Sequence, residues 1–240
     1  MSPAAPVTPA SPEPAGPPSA RAAVRRQPDR GTYEREAAYA VLDEGMVGHV
    51  GLSTPDGPVV IPTLYARDGD RLLLHGSVAS RLLRTAAAEG AEICVTVTLV
   101  DALVLARSAF HHSMNYRSVV VFGQATPIQD PADKLAALEV LVEAMVPGRT
   151  ADARRPNDVE VRQTAVLALP LDELSVKMRT HGVVDEDADL DLRVWAGVLP
   201  LPVVPGTPEP DALQPADLPV PDYVLSYHRS RPGLVDRVPG

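Results

Sequence analysis

The segment Leu72-Leu73-Leu74-His75-Gly76-Ser77-Val78-Ala79-Ser80-Arg81-Leu82-Leu83 carries the strongest chemical signal in the chain. An apolar strand runs into a glycine, and a helix opens a few residues later. Helix N-termini present unpaired N–H groups and partial positive charge, which suits anions. Ser77 and Ser80 add hydroxyl donors, and the forked guanidinium of Arg81 matches phosphate geometry. This spacing points to phosphate capture. The plainer alternative is an ordinary strand-to-helix turn with Ser77 as N-cap. His75 is the titratable group beside the corner, able to donate or accept a proton near neutral pH. Hydrogen bonding to phosphate or backbone is its simpler role, and catalysis the sharper one.

A second polar stretch, His111-His112-Ser113-Met114-Asn115-Tyr116-Arg117-Ser118, leads straight into the apolar run Val119-Val120-Val121-Phe122-Gly123. Tyr116, Arg117 and Ser118 are placed to reach a second phosphate face or a ring edge. Neighbouring histidines point in different directions on most backbones, and no second His/Cys cluster has ligand spacing, so no metal site is expected. His49 lies between apolar neighbours and reads as a core or interface histidine. The arginines at 21, 25, 26 and 30, and the acidic run 185–189, read as solvated segments.

The elements that must position these residues are mostly short strands. Residues 33–43 suit a helix after Thr32 as N-cap, ending near Gly45. Strands are expected at 47–53, 58–66 and 71–75. The turns between them carry Pro55-Asp56-Gly57 and Asp68-Gly69, which makes these strands antiparallel hairpins. A helix over 78–89 ends at Gly90. Strands follow at 92–100, 103–106 and 117–124. Asp130-Pro131 starts a helix whose Leu135, Leu138, Leu141, Val142 and Met145 share a face, read as core and not as a cofactor-lining face. Strands at 165–170 and 174–179 close the series. The expected fold class is mainly β with helices, an antiparallel barrel or sandwich with helical insertions.

Composition bounds what this scaffold does. Of the 26 prolines, 18 fall in residues 1–30 and 199–240, so Pro-rich ends flank a compact middle. A net charge of -9 argues against nucleic-acid binding. A single cysteine, Cys94, excludes a disulfide framework and fits a reducing compartment. No apolar run reaches the ~18 residues a membrane helix needs, and no signal peptide is recognisable, so a soluble cytoplasmic protein is expected.

Together the two segments resemble the pyridoxamine 5'-phosphate oxidase-like family of flavin-binding split barrels, and within it the flavin-nucleotide-binding branch related to nitroimidazole reductases. The resemblance runs over about residues 33–201. It rests on Val60-Ile61-Pro62-Thr63, on His75-Gly76-Ser77 with Ser80-Arg81, on the run from Tyr116 to Gly123, and on Val194-Trp195-Ala196-Gly197-Val198-Leu199-Pro200-Leu201. It implies a six-stranded antiparallel split barrel that forms a homodimer with two FMN sites at its interface. On that resemblance His75, Gly76, Ser77, Ser80 and Arg81 hold the phosphate. Val60, Ile61, Pro62 and Thr63 lie along the isoalloxazine ring. Tyr116, Arg117 and Ser118 add cofactor contacts, sometimes from the other subunit, and Trp195 packs near the ring or the dimer seam. Two departures count against vitamin B6 oxidation. Leu82 stands where those oxidases carry a basic residue, with Arg84 a turn away to compensate. No Arg-x-His partner accompanies Trp195.

FMN needs a phosphate corner and an apolar wall, and Val59, Val60, Ile61, Val95 and Val97 supply the wall. The flavin performs the redox step, so no dedicated acid or base is required. The expected function is an FMN-dependent oxidoreductase passing electrons from a reduced nicotinamide to a small organic acceptor, such as a nitroaromatic or a quinone. One alternative keeps the fold but binds deazaflavin F420, with the N-terminal arginines as a basic groove, or haem. Another is a non-catalytic flavin-binding or scaffolding dimer whose Pro-rich tails meet partners. The expected division is a disordered tail over 1–30, a flavin-binding domain over 31–201 and a Pro-rich extension over 202–240.

Overall fold

Hairpin chemistry sets the first half of the molecule. A short strand β1 (Gly31–Thr32) leads into helix α1 (Arg35–Glu44), and β2 (Val47–Thr54), β3 (Gly57–Asp68) and β4 (Arg71–Ser77) follow as consecutive antiparallel partners. Both tight turns place a glycine at positive φ, Gly57 at 114° and Gly69 at 56°, where a side chain would be strained. The computed structural model describes residues 16–228 apart from Glu89 and Ala216. The expected tail therefore lies outside the described residues over 1–15, as does the end of the C-terminal extension over 229–240.

Helix α2 (Arg81–Ala86) is shorter than the 78–89 expected, because Ser80 and not Ser77 caps it, accepting from the Leu83 amide at 3.4 Å. The expected strands 92–100 and 103–106 are one strand, β5 (Ile93–Leu105), interrupted by a bulge at Asp101. β6 (Ser113–Gly123) starts four residues earlier than expected, and β7 (Thr126–Pro127) follows it. Helix α3 (Pro131–Met145) forms as expected. Asp130 caps it, accepting from the Ala132 and Asp133 amides at 2.9 and 3.0 Å. Helices α4 (Arg149–Asp152) and α5 (Asp158–Gln163) follow, neither expected from the sequence. The latter opens on a reciprocal capping box between Asn157 and Glu160, a signature present in the sequence. β8 (Thr164–Pro170), β9 (Glu173–Arg179), β10 (Gly197–Pro200) and α6 (Asp222–Leu225) complete the chain.

The strands form one antiparallel sheet in the order β1-β9-β6-β5-β2-β3-β4-β8-β7, with β10 paired to the far half of β5. Seven strands are long. β1, β7 and β10 are the short additions to the split-barrel fold expected from the sequence. β3 gives the barrel its split. Its residues 57–64 pair with β2, and its residues 65–68 pair with β4. The backbone edge of Val60, Ile61, Pro62 and Thr63 that faces away from β2 therefore has no partner strand among the described residues.

Two layers of core explain the run Leu72-Leu73-Leu74, which is buried throughout and does not alternate. Leu72 and Leu74 face the barrel interior with Val50, Val95, Val119 and Leu169. Leu73 faces outward, with Ala66 and Val166, against Ala137 and Leu141 of α3. At one end, Gly45 is required by close approach: a Cβ there would lie 2.5 Å from the Tyr65 hydroxyl, which donates to the Leu42 carbonyl at 2.7 Å.

The N-terminal stretch counted with the tail is docked from Ser19 onward. Ala22 is buried, and Arg21 donates to Glu173 and Glu92 while lying 5.0 Å over the Phe122 ring. Among the described residues no helix is long and apolar enough to cross a membrane.

Candidate functional site

Strand alternation on β4 sorts the predicted corner into two directions. Leu73, His75 and Ser77 share the outer face, while Leu72, Leu74 and Gly76 face the barrel. A Cβ on Gly76 would meet Leu83 at 2.9 Å, so the glycine lets α2 close onto the strand. Much of the corner's hydrogen-bonding capacity is used internally. Val78 N–H donates to the Gln163 carbonyl, Ala79 N–H to the Ser77 hydroxyl, and Ser80 N–H to the Ser77 carbonyl. The Arg81 and Leu82 amides, at the first two positions of α2, have no acceptor within the helix. The Arg81 guanidinium is 76% exposed, with Asp56 of the β2–β3 turn at 3.9 Å. The anion donors that remain are these two amides, the serine hydroxyls and Arg81.

His75 does something the sequence did not show. It lines a cavity of about 310 Å³ between the outer face of β3, β4 and β8 and the helical layer α3–α5. Leu64, Leu138, Leu141, Val142 and Met145 supply apolar walls, and Met46 and Thr164 complete them. Four residues of the α3 stripe read as core, Leu138, Leu141, Val142 and Met145, line this cavity, and Leu138 and Leu141 also pack with Ala137 against the sheet. The His75 Nδ1 is buried without a hydrogen-bond partner. Burial pushes the imidazole pKa below its usual value, so the ring is neutral at neutral pH with a lone pair available. Among the described residues no group of three or more His, Cys, Asp or Glu side chains has the spacing to hold a bare metal ion.

The β6 group sits elsewhere. In the order β4-β3-β2-β5-β6, two whole strands separate it from the β3–β4 edge. Arg117 forms four hydrogen bonds, to Asp101 at 3.0 and 2.7 Å and to Glu44 at 2.6 and 3.0 Å. The bulge turns Asp101 toward it, and the two carboxylates, Asp101 foremost, raise the guanidinium pKa further. The Ser118 hydroxyl donates to the Lys177 carbonyl. Tyr116 is half-buried opposite Arg179. Trp195 is 67% exposed, folded over Gly197 at the start of β10. Within one chain, then, Val60–Thr63 lie on β3, His75, Gly76, Ser77, Ser80 and Arg81 on the β4–α2 turn that follows it, Tyr116, Arg117 and Ser118 on β6, and Trp195 just before β10. Cys94 is half-buried, and burial raises its thiol pKa, so it is no thiolate nucleophile.

Comparison with known proteins fits this geometry. The family described as pyridoxamine 5'-phosphate oxidase matches residues 34–178. The flavocytochrome Anf3 from Azotobacter vinelandii is 36% identical, with a TM-score of 0.84, over 90% of this chain and 100% of that one. An FAD- and haem-binding protein from Mycobacterium smegmatis is also 36% identical, with a TM-score of 0.78, over 82% of this chain and 96% of that one. A protein described as a 5-nitroimidazole antibiotic resistance protein from Bacteroides thetaiotaomicron shares the fold at 23% identity and a TM-score of 0.50, over 60% and 83% of the two chains. A search of curated proteins finds no match. The chain belongs to the pyridoxamine 5'-phosphate oxidase-like family and has the split-barrel fold of its flavin-binding members.

Proposed function

We propose that the protein is a redox protein binding two cofactors, a flavin at the β3–β4–α2 corner and a haem in the cavity beside it, with His75 as the protein's iron ligand. The observation that carries the haem is the half-buried His75 imidazole, neutral, with its Nδ1 buried and unpartnered in a largely apolar cavity. An unsatisfied buried polar atom is costly unless a ligand meets it. One imidazole cannot hold a bare ion, but it suffices for an iron whose other equatorial ligands come from a porphyrin. The two relatives at 36% identity support this reading, being described as a flavocytochrome and as an FAD- and haem-binding protein.

The corner fits the phosphate shared by FMN and FAD. Ser77, Ser80 and Arg81 would meet it, and the unpaired backbone of Val60, Ile61, Pro62 and Thr63 would meet the ring edge. When bound, the flavin supplies hydride and one-electron chemistry and the haem one-electron chemistry. This chain's part is to hold the two groups on one strand: His75 and Ser77 lie two residues apart, about 7 Å along β4. A reduced nicotinamide is the proposed donor, a small organic molecule the proposed acceptor, and the cytoplasm the proposed location. The F420 reading loses support, because Arg21 of its supposed basic groove is engaged by Glu173 and Glu92.

A homodimer is part of the proposal. Tyr116 and Trp195 lie too far around the sheet to reach the corner of their own chain. Val60, Ile61, Leu103, Met114, Val198 and Leu199 expose apolar surface of the kind a second copy would cover. Absorption spectra of the purified protein and of its heat-released supernatant test the cofactors. A flavin spectrum together with a Soret band is expected. A colourless protein that takes up neither FMN, FAD nor haemin overturns the proposal.

A further inference from the structure

The cavity has a charged mouth that the corner, the imidazole and the apolar walls do not explain. Between α4 and α5 the chain runs extended through Ala153, Arg154, Arg155 and Pro156, and all four residues line the cavity. Pro156 disfavours helical conformation at Arg155, and no helix forms over residues 154–157. Arg154 pairs with Glu160 of α5 at 2.8 Å, and Arg155 pairs with Glu139 of α3 at 2.8 Å. The two arginines are 68% and 73% exposed, which marks the opening to solvent. The arrangement is thus a largely apolar slot with one imidazole inside and, at the rim, two guanidinium groups each paired with a carboxylate, Glu160 and Glu139, that also lines the cavity.

We infer that Arg154 and Arg155 are the carboxylate receptors of this cavity, binding the two propionate groups of the haem held at His75. This rests on the haem reading above. A flat apolar body with acidic groups on one edge is the complement of a slot whose only cations stand at its mouth. Arginine forks bind carboxylates bidentately and tolerate partial burial better than lysine. Arg154 forks onto Glu160 at 3.0 and 2.8 Å and donates to the Arg155 carbonyl at 2.7 Å, so a propionate must exchange with Glu160 at an exposed site. Exposed ion pairs contribute little, so exchanging one carboxylate for another is cheap. Glu160 keeps a second partner, the Asn157 amide at 2.8 Å, when Arg154 turns away from it. Arg155 engages Glu139 through Nε alone, so its two terminal nitrogens have no hydrogen bond among the described residues.

The test compares haemin with haemin dimethyl ester, which has the same ring and iron but no carboxylates. Both are titrated by Soret absorbance into full-length protein freed of haem. The wild type is expected to bind haemin at least about tenfold more tightly than the ester, and Arg154→Gln and Arg155→Gln each to weaken haemin by about tenfold. The double variant is expected to bind the two forms equally, with the Soret maximum of bound haemin unmoved. His75→Ala is expected to do the reverse, moving the Soret maximum while still preferring haemin. Arg162→Gln, on α5 but outside the cavity, controls for loss of positive charge, and far-ultraviolet circular dichroism for folding. Equal affinity of the wild type for both forms overturns the rim assignment and leaves the haem reading standing. Binding of neither form overturns both.

Discussion

The corner at Ser77–Arg81 and the cavity around His75 occupy neighbouring positions on β4 but are built by different physics. The corner is local: one strand, one turn and one six-residue helix supply its donors, and most of it is exposed. The cavity is assembled from segments far apart in sequence, with walls from β3, β4, β8, α3 and the α4–α5 connection. Charge follows the same division. Arg81 stands in water where a phosphate can reach it, whereas His75 is held neutral by burial. On this one strand, Ser77 at the exposed turn and His75 at the cavity thus stand on either side of Gly76.

Removing His75 should break the comparison most sharply. His75→Ala is expected to abolish the native haem spectrum while flavin retention stays unchanged, read from one absorption spectrum. If both cofactors vanish together, the two sites are not separable. Next in size is Arg117→Met. Its guanidinium is one-seventh exposed between two carboxylates, and removing one member of a buried ionic cluster costs about 3–5 kcal/mol. Urea denaturation should show that loss without altered flavin affinity once the variant is folded. A flavin defect without a stability defect would return Arg117 to the cofactor.

Arg81→Ala sharpens the corner. It should weaken FMN by about tenfold, as expected for loss of a charge-assisted hydrogen bond, and leave riboflavin, which has no phosphate, unaffected. Equal losses for both flavins would place the phosphate elsewhere. Asn157→Ala removes the α5 cap at a cost of about 1 kcal/mol and should loosen the cavity more than the corner, so haem affinity falls and flavin affinity holds.

The smallest effect concerns neither site. Arg21 first, and then the Ser19 hydroxyl, hold the Glu173 carboxyl down at about 2. Its folded pKa lies below its unfolded value, so this anchor contributes fully above about 4.5 and is lost as pH falls toward 2. Limited proteolysis at Arg25-Arg26 should therefore accelerate over that range in the wild type. In Glu173→Gln it should already be faster at neutral pH.

Much of this molecule was legible in its sequence. Glycine at the β2–β3 and β3–β4 turns, Asp130-Pro131 at the start of α3, and the order of apolar runs fixed the strands and the family resemblance. These signals act within a few residues and need no tertiary context. The order of strand, glycine and helix around Gly76 was legible for the same reason. The Asn157–Glu160 capping box of α5 is likewise a local signal, written in residues three apart. Other features depended on contacts across the sheet. A strand running into a helix looks the same whether Ser77 or Ser80 caps it, and the close approach of Leu83 to Gly76 accompanies the later start. A bulge at Asp101 looks like a strand end. The stripe on α3 has the same spacing whether it meets a filled core or a hollow one. Whether Arg117 meets a cofactor or two carboxylates depends on where Glu44 and Asp101 arrive. Local residue patterns were enough to place the long strands and the strand–glycine–helix turn near Gly76. Only the tertiary structure decided that His75 faces a cavity, because a cavity is the space that distant elements leave between them.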